Sequence, residues 1–94
     1  MELSERFIQK LEQEDFDTVY EWQDAPNAVH TEHSHPSRTV VILTDGIITF
    51  TLQGEEKLLM PGQRLDIPAG ALHSAKVGPT GAIYIVGEMV RTDH

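Results

Sequence analysis

The 94-residue chain contains no cysteine. Disulfides and thiolate metal ligands are therefore excluded, and histidine and carboxylate are left to hold any metal. No apolar stretch approaches the ~20 residues needed to span a bilayer. The opening Met1-Glu2-Leu3-Ser4-Glu5-Arg6 lacks the basic region and apolar run of a signal peptide. Basic residues are few: seven Lys and Arg stand against fifteen Asp and Glu, for a formal charge of −8. Such a surface repels phosphate backbones and anionic lipid, so neither nucleic acid nor a membrane is expected as a partner. Repeats, low-complexity segments and a second domain are also lacking, and residues 1–94 read as one small domain of a soluble cytoplasmic protein. A domain of this size buries a modest share of its surface, and a partner subunit would help it.

What is present is mostly strand signal. Leu3, Phe7 and Leu11 recur four residues apart and predict a short helix or arm over 3–14, with Ser4 as its N-cap. Glu12, Glu14 and Asp15 at its far end have the wrong sign for a helix C-terminus. From Phe16 the period changes to two, through Thr18, Tyr20 and Trp22. Asp24 to Asn27 reads as a turn, and Ala28 to His35 as extended. Thr39–Thr44 and Ile47–Leu52 are β-branched runs separated by Asp45-Gly46, which predicts a hairpin with a type I′ turn. Short strands are expected over 57–60 and 64–67. The last two, 73–77 and 82–86, are expected to be divided by Gly78-Pro79-Thr80-Gly81. This spacing with no intervening helix predicts an all-β sandwich or barrel.

His33 and His35 flank one serine, so on a strand both imidazoles project to the same face at a separation suited to two cis metal ligands. Neutral imidazole is a ligand for zinc, copper, iron and nickel. A third candidate, His73, follows a Pro-Ala-Gly turn far along the chain.

These residues resemble the two motifs of the cupin superfamily. The first motif is His-x-His, a few residues, Glu, six residues and Gly; here His33-Ser34-His35 is followed by Thr39, six residues and Gly46. The second is Gly, five residues, Pro-x-Gly, two residues, His, three residues and Asn. Here Gly62 precedes five residues, Pro68-Ala69-Gly70, Ala71-Leu72 and His73. The resemblance covers residues 28–87 and is similar to the small single-domain cupins. It implies a double-stranded β-helix, or jelly-roll, barrel with His33, His35 and His73 around one divalent ion: Fe, Ni, Mn or Zn. Two positions depart from the pattern. Thr39 stands where the family's glutamate ligand is expected, and Val77 replaces the asparagine. The ligand set is thereby reduced to three histidines, which leaves open positions on the ion.

Glu32 and His30 are the candidates to replace the missing glutamate, although on a regular strand both face away from His33 and His35; His30 is read as a rim residue. His94 is expected to be disordered. Thr39, Val41 and Arg38 are the candidate pocket residues, with Leu43 and Ile67 in phase to line the interior. Trp22, Tyr20 and Tyr84 are expected to be core or interface aromatics. Ile48, Phe50 and Leu52 share a strand face that needs cover, which points to a homodimer. The expected function is a metal-dependent enzyme, dioxygenase- or isomerase-like, on a small anionic substrate. The alternative is a non-catalytic small-molecule-binding or sensory barrel. An evident general base is missing; Glu32, Asp66 and Tyr84 are the titratable groups nearest to that role.

Overall fold

The computed structural model describes residues 3–89; His94 lies outside them. One helix, α1 (Leu3–Gln13), precedes six strands: β1 (Thr18–Asp24), β2 (Val29–His33), β3 (Arg38–Leu52), β4 (Glu55–Leu59), β5 (Arg64–Ile67) and β6 (His73–Met89). All pairings are antiparallel. The two long strands β3 and β6 run side by side and each belongs to both halves of a jelly roll. In one half, β1 pairs with residues 82–88 of β6, which pair with the start of β3 and then β5. In the other, β2 pairs with the start of β6, which pairs with the end of β3 and then β4.

The expected hairpin at Asp45-Gly46 is absent. Residues 38–52 form one strand, because a type I′ turn needs positive φ at both central residues and only Gly46 has it (φ 88°). Gly46 instead bends β3 where it crosses β6. A Cβ there would lie 2.1 Å from the Gly81 carbonyl oxygen, and Gly81 is itself at φ 81°. Likewise Gly78-Pro79-Thr80-Gly81 does not divide two strands. It is a local excursion within β6, opposite the single residue Ile47. The two-residue turn is at Gln53-Gly54 (φ 50° and 83°), which joins β3 to β4 with Leu52 opposite Glu55.

These irregularities set which side chains point inward. The pairing shifts by one residue at Thr44, between Leu43–Tyr84 and Asp45–Ile83. An extra residue in one strand reverses its alternation. Val41 and Leu43 face the interior before the bend, and Ile48, Phe50 and Leu52 after it. The last three therefore lie in the core, not on a face awaiting a second subunit. β6 reverses in the same way, from Ala75 and Val77 to Ala82, Tyr84 and Val86.

A second cluster closes the outside of the first half. Leu11 of α1 packs with Phe16, Val40, Ile42 and Ile85, and Phe7 and Ile8 support it. Among the described residues the helix already runs from Leu3, so Ser4 lies within it and does not cap it. Its C-terminus ends in a Schellman arrangement. Asp15 takes φ 68°, Phe16 N–H reaches the Leu11 carbonyl and Asp15 N–H the Glu12 carbonyl. The acidic end is neutralised from outside, since the Arg64 guanidinium donates to both Glu14 oxygens at 2.8 Å. No helix among the described residues is long and apolar enough to cross a membrane.

Candidate metal centre

His33 and His73 are directly opposed in the β2–β6 pairing, so their side chains share the interior face. His35 lies two residues beyond β2, where its carbonyl accepts a hydrogen bond from Gly70 N–H at 2.8 Å. That bond ties the His-x-His segment to the Pro-Ala-Gly turn that leads into His73. The three rings converge, with centroid separations of 4.7 Å (33–35), 4.3 Å (33–73) and 5.1 Å (35–73). One nitrogen from each lies within 4.8 Å of the others, so the group can hold a metal ion.

The hydrogen bonds behind the rings fit that role. His33 Nδ1 lies 2.6 Å from the Thr31 carbonyl oxygen, and His73 Nδ1 lies 3.0 Å from that of Ala71. A carbonyl only accepts, so each Nδ1 carries the hydrogen and each Nε2 presents its lone pair. Burial, with the neighbouring charges of His33 and His73, pushes the His35 pKa down, which favours the neutral form that a metal requires.

A cavity of about 220 Å³ opens on the three rings. Thr39 and Val41 line it, as do Ile67, Tyr20, Trp22 and Tyr84. Thr39 Oγ1 is the buried side-chain oxygen that lacks a hydrogen-bond partner among the described residues. Tyr84 is buried with the core. Trp22, however, is 50% exposed, and is neither a core residue nor covered within this chain.

Arg38 is not part of the cavity lining. It precedes Thr39 on β3, so alternation sends it to the outer face. There it donates to Asp66 at 2.9 Å and lies 5.4 Å from the Phe16 ring centroid. Asp66 is held outside by Arg64 as well, and so is remote from any chemistry in the barrel. Glu32 is exposed and does not line the cavity.

His30 does line it, because the β2–β6 pairing shifts between His30 and His33. His30 stands opposite Ala75 and His33 opposite His73, so three residues of β2 span two of β6, and both histidines face inward. His30 is not a member of the three-ring group. Its Nε2 lies 2.8 Å from Asp24 Oδ2, which also accepts from the Tyr84 hydroxyl at 2.7 Å, while Trp22 Nε1–H donates to Oδ1 at 2.9 Å. Burial would raise the Asp24 pKa, but these bonds from Tyr84, His30 and Trp22 outweigh it and hold the carboxyl below its ordinary value. The Tyr84 hydroxyl is pushed far up, by burial and by its bond to Asp24.

Two further groups were not singled out in the sequence. Asp24 reads there as a turn residue. Glu88 lies near the end of β6, lines the cavity and accepts a hydrogen bond from the Tyr20 hydroxyl at 3.2 Å. The signal that finds Glu88 is its register: Ala82, Tyr84, Val86 and Glu88 alternate on the inner face once the excursion at 78–81 is known.

No protein-family model and no curated protein matches the sequence. Solved structures do. An RmlC-like cupin from Shewanella frigidimarina has a TM-score of 0.70 at 25% identity, over 81% of this chain and 68% of that one. A cupin-like protein from Thermotoga maritima has 0.69 at 26%, over 76% and 55%. The DMSP lyase DddQ from Ruegeria pomeroyi shares the fold at 0.72 with 18% identity; the match covers 81% of this chain but only 39% of the lyase.

Proposed function

Taking the chain as a member of the cupin superfamily, we propose that it is a metal-dependent enzyme acting on a small anionic molecule by proton transfer. The observation that carries this reading is the convergence of three imidazoles at the wall of a cavity, with Nε2 left available on His33 and His73 by the bonds at their Nδ1 atoms. His33, His35 and His73 would hold one Fe(II), Ni(II), Mn(II) or Zn(II) ion. Three histidines leave positions open on the ion, where it would supply Lewis acidity to an anionic group.

The protein's own residues supply the rest. Asp24 is ionised, so it accepts, and His30 donates Nε2–H to it. This fixes the His30 ring and leaves Nδ1 as the group able to take a proton from a bound molecule. The Tyr84 hydroxyl stays protonated and braces the same carboxylate. Tyr20, Trp22 and Val86 form the cavity wall around them. A positioned histidine–aspartate pair favours isomerase- or lyase-like chemistry over oxygen insertion.

The test begins with metal content of protein purified without added metal, for wild type and His73→Ala. Stoichiometric metal in the first and none in the second is expected. Small hydroxy and keto acids are then incubated with the loaded protein in D₂O. Deuterium uptake at carbon, abolished in His30→Ala, supports the proton-transfer reading; oxygen consumption without exchange replaces it with a dioxygenase. Tight ligand binding with neither reaction establishes the non-catalytic alternative. A homodimer remains part of the proposal on different grounds from the buried Ile48–Phe50–Leu52 face. It would use exposed apolar residues such as Val29 and Leu58. Sedimentation of a stable monomer at micromolar concentration refutes it.

A further inference from the structure

We infer that Glu88 supplies the metal centre with the carboxylate that Thr39 withholds, from the neighbouring strand. The inference rests on the three-histidine reading above. Three independent observations place Glu88 in that role.

The first is register. Thr39 of β3 is paired directly with Glu88 of β6. In an antiparallel pair, opposed residues project to the same face with Cβ atoms about 5 Å apart. Both residues line the cavity shared by His33, His35 and His73. A glutamate at 39 and a glutamate at 88 thus enter the same space from adjacent strands, and this chain carries the second.

The second is the condition of Thr39. Its Oγ1 is buried and has no hydrogen-bond partner among the described residues. A buried hydroxyl in that state costs stability unless a ligand or an ordered group completes it. Thr39 and the glutamate opposite it both line the cavity.

The third is how Glu88 is held. The Tyr20 hydroxyl donates to its Oε2 at 3.2 Å, a long bond. Tyr20 pairs with Val86 on the β1 side of β6. The carboxylate is parked against one neutral donor and has no cation paired with it, since none of the ion pairs includes Glu88 among the described residues. A half-buried carboxylate with no paired cation, lining the same cavity as three imidazoles, suits a divalent ion. When the ion is bound, Glu88 can turn from Tyr20 and offer an oxygen to the ion or to a water on it. In either case it neutralises one unit of charge.

The experiment uses calorimetric titration of metal-free protein with Zn(II) and with Co(II), the latter also followed by its visible spectrum. No substrate is needed. Glu88→Gln, which keeps the shape and removes the charge, is expected to weaken binding by about tenfold or more. The exchange variant Thr39→Glu/Glu88→Thr is expected to restore affinity to within a few-fold of wild type. Thermal unfolding and far-ultraviolet circular dichroism establish that each variant is folded; Glu88→Ala stands in for an unfolded Glu88→Gln, and Thr39→Glu/Glu88→Gln for an unfolded exchange variant. Wild-type affinity in folded Glu88→Gln overturns the inference while leaving the three-histidine site intact. Loss of affinity in Glu88→Gln that a folded exchange variant fails to recover also overturns it, because the carboxylate is then needed for something other than charge at this point. A wild-type protein that binds neither metal, or a His73→Ala variant that binds both as tightly as wild type, overturns the metal centre itself.

Discussion

At the scale of single residues, Asp24 shows how a side chain in a turn-like sequence becomes the anchor of a site. Its carboxylate is 9% exposed and accepts hydrogen bonds from Tyr84, His30 and Trp22. Hydrogen bonds to a charged acceptor contribute about 1.5–3 kcal/mol each at most. Asp24→Asn keeps the volume and loses the charge, and should cost about 2 kcal/mol near neutral pH. The sign of the pH effect follows from the lowered pKa. The unfolded chain takes up the proton first, at about 3.8, so the wild-type contribution is fully present above that value. It is lost as pH falls through the lower folded pKa. Urea midpoints between pH 2 and 6 should therefore converge for the two proteins at the acid end. Parallel profiles would show that the carboxylate is not the stabilising form. The histidines at 33, 35 and 73 were legible because their spacing and the Pro-x-Gly turn are local patterns. Asp24, Glu88 and the inward turn of His30 were not, because each depends on which strand lies alongside.

At the scale of elements, the chain turns on two bends. β-branched runs on either side of Asp45-Gly46 announce strands, and Asp-Gly is a strong local signal for a hairpin. The signal failed here since β3 has a partner on each side of the dipeptide: β5 and the end of β6 before it, β4 and the start of β6 after it. Pairing with the whole length of β6 outweighs folding back on itself. Glycine is still required, for a different reason. Gly46→Ala would put a methyl 2.1 Å from the Gly81 oxygen at φ 88°. It should cost about 3 kcal/mol or more, combining backbone strain with overlap that only main-chain movement relieves. Gly54→Ala, at φ 83° with nothing within 4 Å of the new methyl, should cost only about 1 kcal/mol. Thermal unfolding of the pair separates the two terms, and equal losses would contradict the crossing of β3 and β6 at Gly46. The Arg38 error has the same origin as the hairpin. A loop arginine can point anywhere, but one at the head of a strand is bound to the strand's alternation.

At the scale of the whole molecule, the barrel gathers four histidines and Glu88 at one cavity. The core of the fold rests on the apolar interior and the helix-covered outer cluster. Metal binding should nevertheless stabilise it, because the three histidines converge only in the folded chain. At a free metal concentration a hundred times Kd the gain is about 2.7 kcal/mol. For a domain of this size that raises Tm by roughly 10–20 °C. The shift should vanish with chelator and be absent in His73→Ala. A metal-independent Tm in wild type would contradict it.

The sequence by itself determined that the protein is a small all-β domain without disulfides, with a short helix or arm ahead of its strands and three histidines in two recognisable motifs. Those properties live in composition, in period and in short spacings, which need no knowledge of neighbours. Only the tertiary structure decided that β3 and β6 are continuous, that Ile48, Phe50 and Leu52 are inside, and that Arg38 is outside. It alone brought His30 and Glu88 to the cavity, with Asp24 bonded behind His30. The physical reason is common to all of these. A single bulge reverses the alternation of a strand, and whether a bulge forms at Thr44, between His30 and His33, or at 78–81 depends on the register of the strand alongside.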